Sequence, residues 1–119
     1  MSIIGHTLLT TVIFLFPIFD SEPLVYIRPP DPPREVREIV VSYAKLYGVD
    51  EQTALRIAEC ESRLDPKIIG DNGDSRGLWQ IHRPSWPEIT DEQAFDPEWS
   101  TRWAMGKMAQ GDFHLWTCK

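Results

Sequence analysis

Glu61 is the residue whose position in the sequence best suits acid chemistry. It lies in the stretch DEQTALRIAECESRL, three residues after Ala58 and four after Ile57. In a helix this spacing places the glutamate on the apolar stripe that faces the core. Burial disfavours the charged form and raises the pKa of a carboxyl group, which can then donate a proton near neutral pH. The alternative is a partly exposed glutamate paired with Arg56 or Arg63.

Two predicted helices would position this glutamate. Asp50 can cap the helix that carries Glu61, and no Gly or Pro follows until Pro66, which predicts about four turns over residues 50–64. Residues 34–47 have apolar side chains at three- and four-residue intervals and end at a glycine. They predict a supporting helix packed against the first.

A third helix is predicted from Asp96 and Pro97, a favoured pair of residues for a helix start, to about Gln110, before Gly111 ends it. Trp99 and Trp103 are four residues apart in it, and we expect both to belong to the core.

A glycine-rich stretch, residues 65–76, separates the second and third helices. Its glycines predict tight turns and a small hairpin that forms one lip of a cleft. The acidic residues of the stretch lack the spacing of a calcium loop. His82 and His114 have no neighbours at metal-ligand spacing. We therefore expect no metal and no other cofactor.

The order of these features resembles the lytic transglycosylase family of the lysozyme-like superfamily, over roughly residues 34–118. In that family a Glu-Ser pair ends a helix and is followed by a Gly-Leu-x-Gln segment, which correspond here to Glu61-Ser62 and to residues 77–80. The resemblance implies a mainly α fold of the α+β lysozyme-like type. It would be a small helical domain with a short glycine-rich loop or hairpin lip.

The same resemblance implies that Glu61 is catalytic and that Ser62, Ser75 and Gln80 bind substrate, with Ser75 and Gln80 holding sugar and N-acetyl groups. Trp79 would be either a stacking surface for a sugar ring or part of the core. The family's later Ala-x-Asn and Tyr motif, whose Tyr contacts the catalytic glutamate, has no counterpart in this sequence.

The function implied by the resemblance is cleavage of the β-1,4 bond between N-acetylmuramic acid and N-acetylglucosamine in peptidoglycan, with formation of 1,6-anhydromuramic acid. A hydrolytic lysozyme is an alternative, and it would need a second carboxylate, from Asp71 or Asp74. A non-catalytic glycan-binding module is another. Glu61 argues against that module, because a binding groove gains nothing from burying an unpaired acid.

Composition limits the partners of this chain. Its 119 residues suit one folded domain, which we expect to be monomeric. The net charge of -6, with 12 basic residues dispersed among 18 acidic ones, excludes a typical nucleic-acid-binding surface. Peptidoglycan strands would then be recognised by hydrogen bonds and aromatic contacts in a groove.

The N-terminal part of the sequence predicts export to the periplasm or the cell exterior. Residues 3–19 contain no Asp, Glu, Lys or Arg. Residues 1–19 are therefore predicted to be either a removed signal peptide or an N-terminal membrane anchor. The proline-rich residues 20–33 predict an extended linker. The lysozyme-like catalytic domain would occupy residues 34–119.

Cys60 and Cys118 are the only cysteines in the chain. Export implies an oxidising compartment, so we predict a disulfide between them, which would tie residue 118 to the helix that carries Glu61. The alternative is two free buried thiols.

Overall fold

The computed structural model of the protein describes residue 5, residues 12–15 and residues 34–118. The predicted signal peptide or anchor lies largely outside these residues, and the predicted linker lies wholly outside them, so both stay predictions. Within the described part of the chain, no helix is long and apolar enough to cross a membrane.

The chain divides into two compact units, Met1–Pro30 and Asp31–Lys119. In the first unit, the described side chains of residues 12–15 are exposed. All regular structure described below belongs to the second unit.

The second unit is mainly helical, which confirms the predicted fold class. Its helices are α1 (Val36–Tyr47), α2 (Glu51–Ser62), α3 (Asp91–Phe95) and α4 (Pro97–Ala109). The predicted hairpin lip is a small antiparallel sheet of two-residue strands in the order β1-β2-β3. The strands are β1 (Ile69–Gly70), β2 (Ser75–Arg76) and β3 (Ile81–His82).

The predicted start of α2 is confirmed. A side-chain oxygen of Asp50, Oδ2, accepts a hydrogen bond from the backbone N–H of Thr53 at 2.9 Å. The helix ends at Ser62, two residues before the end of the predicted stretch, because Arg63 and Leu64 both adopt left-handed backbone conformations. Glu61 therefore lies in the last turn of α2.

The predicted start of α4 is confirmed as well. The Oδ1 atom of Asp96 accepts hydrogen bonds from the backbone N–H groups of Glu98 and Trp99, and Pro97 occupies the first helical position. Trp99 and Trp103 are partly buried and pack against the core from this helix. The preceding short helix α3 was not predicted.

Packing of α1 against both α2 and α4 forms the core. Its most deeply buried large side chains include Trp79, Ile57, Leu78, Met105 and Val40. The core thus extends from the helices to the segment that joins β2 and β3.

Ion pairs connect the sheet to α3. Asp91, the first residue of α3, lies 3.3 Å from Nε of Arg76 and accepts two hydrogen bonds at 2.9 Å from Arg83. Gly77 follows β2 with a φ of +78°, and a Cβ atom at this position would collide with the carbonyl oxygen of Ala94. The lip is therefore held against the helical part of the unit by both charge and close backbone contact.

Cys60 and Cys118 form the predicted disulfide, with their Cα atoms 5.9 Å apart. The two residues are 58 positions apart in sequence. A cross-link that closes a loop of this length stabilises a fold by about 4 kcal/mol on the loop-entropy model.

Candidate active site

The last turn of α2, the sheet and the segment after α4 surround a cleft of about 350 Å³, which we call the Glu61 cleft. Its walls combine carboxylates, hydroxyls and imidazoles with aromatic surface. The lining residues are Glu61, Asp71, Ser75, Gln80, His82, Ser85, His114, Leu115, Trp116 and Thr117.

Glu61 is the half-buried acid of this cleft. Its Oε1 atom is buried and has no hydrogen-bond partner among the described residues. Burial raises the pKa of the Glu61 carboxyl, and the negative charge of Asp71 raises it further. The backbone N–H of Cys118 acts in the opposite direction. The net effect favours the protonated form, which is the form that a general acid requires.

The alternative environment for Glu61 was an ion pair with a neighbouring arginine. Arg56 and Arg63 are both exposed, and neither forms an ion pair with Glu61 in the part of the chain that the structure describes. Desolvation, and not pairing with a cation, therefore dominates the environment of this carboxyl group.

Asp71 is the second carboxylate of the cleft. Its Oδ2 atom accepts a hydrogen bond from the buried hydroxyl of Ser75 at 2.5 Å. The backbone of Asp71 is left-handed, with a φ of 49°. Asp74 does not line the cleft. Of the two acids considered from the sequence, the structure brings only Asp71 to the cleft that contains Glu61.

Gln80 lines the cleft from the turn before β3. Its Nε2 atom donates hydrogen bonds to the carbonyl oxygens of Gly77 at 2.9 Å and Ile68 at 3.4 Å. Its Oε1 atom lies where a Cβ atom on residue 70 would be, so Gly70 leaves the space that this side chain occupies. The amide is thus held in place beside the cleft.

Two predicted substrate contacts are contradicted by burial. The Ser62 side chain is 1% exposed, and its hydroxyl donates to the carbonyl oxygen of Ala58 at 3.0 Å. The Trp79 indole is 0% exposed, and its Nε1 donates to the hydroxyl of Thr101 at 3.0 Å. Ser62 and Trp79 therefore expose no side-chain surface to a bound sugar. Their burial and hydrogen bonds stabilise the fold instead.

An aromatic recess of about 140 Å³ adjoins the cleft. It shares several residues with the cleft, and its wall also includes Trp79, Ile81 and the pair Trp86 and Trp103. The rings of this pair meet edge to face with centroids 5.3 Å apart, and the ammonium group of Lys107 lies 4.5 Å from the centroid of Trp86. Burial of the Trp79 indole corresponds to the second of its two predicted roles, part of the core.

Sequence reasoning also missed polar residues of the cleft. His82 and Ser85 form a hydrogen bond of 2.8 Å between Nδ1 and Oγ. His114 and Thr117 enter from a segment about 30 residues further along, so no spacing in the sequence could indicate their proximity. The described residues contain no cluster of three or more His, Cys, Asp or Glu side chains that could hold a metal ion.

Comparison with known protein families identifies the family of this chain. The family model described as "Transglycosylase SLT domain" matches residues 38–111. That range contains Glu61, Asp71, Ser75 and Gln80, and it stops before the residues after α4 that complete the cleft. Comparison with curated proteins and with solved structures gives no match.

Proposed function

The chain belongs to the transglycosylase SLT domain family, and from that premise we propose that it is a peptidoglycan lytic transglycosylase that forms 1,6-anhydromuramic acid ends. Family membership supports glycan cleavage in general, with peptidoglycan as the substrate. The observation that carries the finer proposal is the half-buried Glu61 carboxyl group, which lines a cleft and has one buried oxygen without a partner among the described residues.

In the first step, Glu61 acts as the general acid. Its proton moves to the glycosidic oxygen as the bond from that oxygen to C1 of N-acetylmuramic acid breaks. The N-acetyl oxygen of the same sugar stabilises the positive charge that develops at C1. Gln80 would orient the sugar and its N-acetyl group for this step, while the buried Ser75, whose hydroxyl donates to Asp71, would act through that carboxylate.

In the second step, the resulting Glu61 carboxylate acts as the base. It takes the proton from the C6 hydroxyl of the muramic ring while the C6 oxygen forms a bond with C1. This closes the 1,6-anhydro ring and returns Glu61 to its acid form. No water is consumed, so the product is one water lighter than a hydrolysed end.

The aromatic recess would hold an apolar part of the glycan strand beside the reacting bond. Aromatic rings pack well against flat apolar surfaces while polar groups at the rim satisfy hydrogen bonds. Trp86 and Trp103 are both partly buried, so each keeps ring surface that a ligand could contact.

Hydrolysis is the second candidate, and the position of Asp71 favours it. A retaining or inverting glycosidase needs two carboxyl groups beside the scissile bond. Glu61 and Asp71 line one cleft, so Asp71 could position a water molecule or act as the nucleophile. In the transglycosylase reaction, Asp71 would instead keep Glu61 protonated through its negative charge.

We also propose that the protein acts outside the cytoplasm, as a monomer. The apolar residues 3–19 support export as a signal peptide or membrane anchor. The disulfide supports an oxidising compartment.

Digestion of purified peptidoglycan followed by mass spectrometry tests the proposal. We expect 1,6-anhydromuramoyl ends from the wild type and none from Glu61→Gln. Glu59→Gln is the matched control, because Glu59 is an exposed acid of the same helix that pairs with Arg37 outside the cleft. Reducing ends as the major product would support the lysozyme alternative. Equal cleavage by wild type and Glu61→Gln would reject the site, and binding without cleavage by the wild type would favour the glycan-binding module.

A further inference from the structure

The segment of residues 114–118 forms one side of the Glu61 cleft, although it lies beyond the residues that match the family model. Residues 114–117 all line the cleft, and residue 118 is covalently bonded to Cys60, the residue directly before Glu61. The cleft is therefore completed by residues that the family match does not include.

The first part of the 114–118 segment is held by the core. Trp116 is 3% exposed, and its Nε1 donates to the carbonyl oxygen of Trp79 at 3.0 Å. Its ring meets those of Trp79 and Trp103 edge to face, with centroids 6.1 Å and 6.2 Å away. The backbone N–H of Trp116 also donates to the carbonyl oxygen of Phe113. These contacts do not involve the disulfide.

The part after Trp116 is held differently. Between described residues, no backbone–backbone hydrogen bond includes Thr117 or Cys118. Thr117 is exposed. The disulfide to Cys60 brings Cys118 to the last turn of α2, next to the residue that directly precedes Glu61.

We propose that the Cys60–Cys118 disulfide positions the end of the 114–118 segment against Glu61, so that glycan cleavage depends on the oxidation state of this bond, while reduction lowers the stability of the fold without unfolding it. Cys118 is then a positioning residue that acts through Glu61. The inference rests on the proposed function of Glu61.

The disulfide is accessible to a reductant. Cys60 is exposed and Cys118 is partly exposed. A dithiol such as dithiothreitol supplies two electrons and two protons: the S–S bond breaks, each cysteine sulfur gains a proton, and the reductant becomes its cyclic disulfide. The chain contains no other cysteine, so this is the only disulfide that the reductant can break.

The test compares the oxidised full chain, the same chain reduced by dithiothreitol, and the Cys60→Ser/Cys118→Ser variant. Each is assayed on soluble glycan strands, and near-UV circular dichroism of the tryptophans reports the fold. We expect reduction to lower kcat by about tenfold to a hundredfold, because loss of alignment at a catalytic group has effects of this size. KM should change much less, because Thr117 is the only described residue after Trp116 that lines the cleft. Reoxidation should restore kcat, and the double variant should have low activity with or without reductant.

A chain shortened to end at Trp116 provides an independent variant. It keeps the indole contacts and loses only the part that the disulfide positions, so its kcat should match that of the reduced protein. Unchanged kcat after complete reduction would overturn the proposal. Loss of the native near-UV spectrum on reduction would also overturn it, because the fold is stated to survive.

Failure of this inference is distinguishable from failure of the proposed function. If the oxidised wild type is active and Glu61→Gln is inactive, but reduction changes nothing, the disulfide has no positioning role and the function stands. If the oxidised wild type is inactive, or Glu61→Gln is fully active, the proposed function itself fails.

Discussion

Asp71 lies in the same cleft as Glu61, and its negative charge raises the pKa of the Glu61 carboxyl beyond the increase caused by burial. The two acids come from different elements, the last turn of α2 and the 3-10 turn between β1 and β2. The protonation of Glu61 therefore depends on where the lip places Asp71.

The pH dependence of cleavage should report this coupling of Glu61 to Asp71. We expect the alkaline limb of kcat/KM to follow ionisation of Glu61 and to lie above the ordinary glutamate range. Asp71→Asn removes a negative neighbour, which makes ionisation easier and moves this limb to lower pH. Asp74→Asn should leave it in place, because Asp74 is outside the cleft. Coincident profiles for wild type and Asp71→Asn would contradict the coupling.

The raised pKa of Glu61 should also make the stability of the protein depend on pH. The folded-state pKa of Glu61 is raised above its ordinary value of 4.5. As pH rises through 4.5, Glu61 of the unfolded chain releases its proton before Glu61 of the folded chain does. The free energy of unfolding therefore falls until the pH passes the folded-state pKa. Glu61→Gln should therefore be more stable than wild type near neutral pH and lose this advantage at pH values below 4.5. Urea unfolding across pH measures the difference, and Glu59→Gln again serves as the control.

Trp79 and Trp86 should separate stability from binding. Trp79→Ala removes a fully buried indole and should cost about 3 to 5 kcal/mol of unfolding free energy. Trp86→Ala removes a partly exposed wall of the aromatic recess, so it should raise KM with a much smaller loss of stability. Urea midpoints and glycan kinetics on both variants check this. A normal KM for folded Trp86→Ala would exclude the recess from substrate binding.

Gly77 and Gly111 have similar backbone conformations in different surroundings. Both have positive φ, but a Cβ atom on residue 77 would collide with the backbone of Ala94, whereas residue 111 faces open space. Gly111→Ala should therefore cost about 1 to 2 kcal/mol from backbone strain alone. Gly77→Ala should cost clearly more and should also lower activity by displacing the lip. Equal thermal midpoints for the two variants would show that the close contact is unimportant.

The fold was predictable where local signals are strong. Asp50 and Asp96 are effective helix caps, and Pro97 reinforces the second of them. Helix α3 is only five residues long, too short for a hydrophobic period, and its signal was the capping box of Thr90 and Gln93. The error at the end of α2 arises from Arg63 and Leu64, whose left-handed conformations the sequence does not mark.

The site was predictable only in part, since burial and proximity depend on tertiary packing. The apolar stripe of α2 predicted that Glu61 would be desolvated. The same reasoning could not determine whether Trp79 packs inward or outward, because an indole suits both environments. His82 and His114 share a cleft that forms only when the residues after α4 pack on Trp79.

The disulfide also has a consequence for the connectivity of the chain. Residues 83–90 form turns without regular helix or strand, and Glu88 lies there on the surface, between the two half-cystines in sequence. A protease that cuts the backbone after Glu88 would therefore leave two pieces joined through Cys60 and Cys118. One piece would carry Glu61, Asp71 and Gln80, and the other would carry the 114–118 segment, so a nicked molecule would keep both halves of its cleft on one covalent framework.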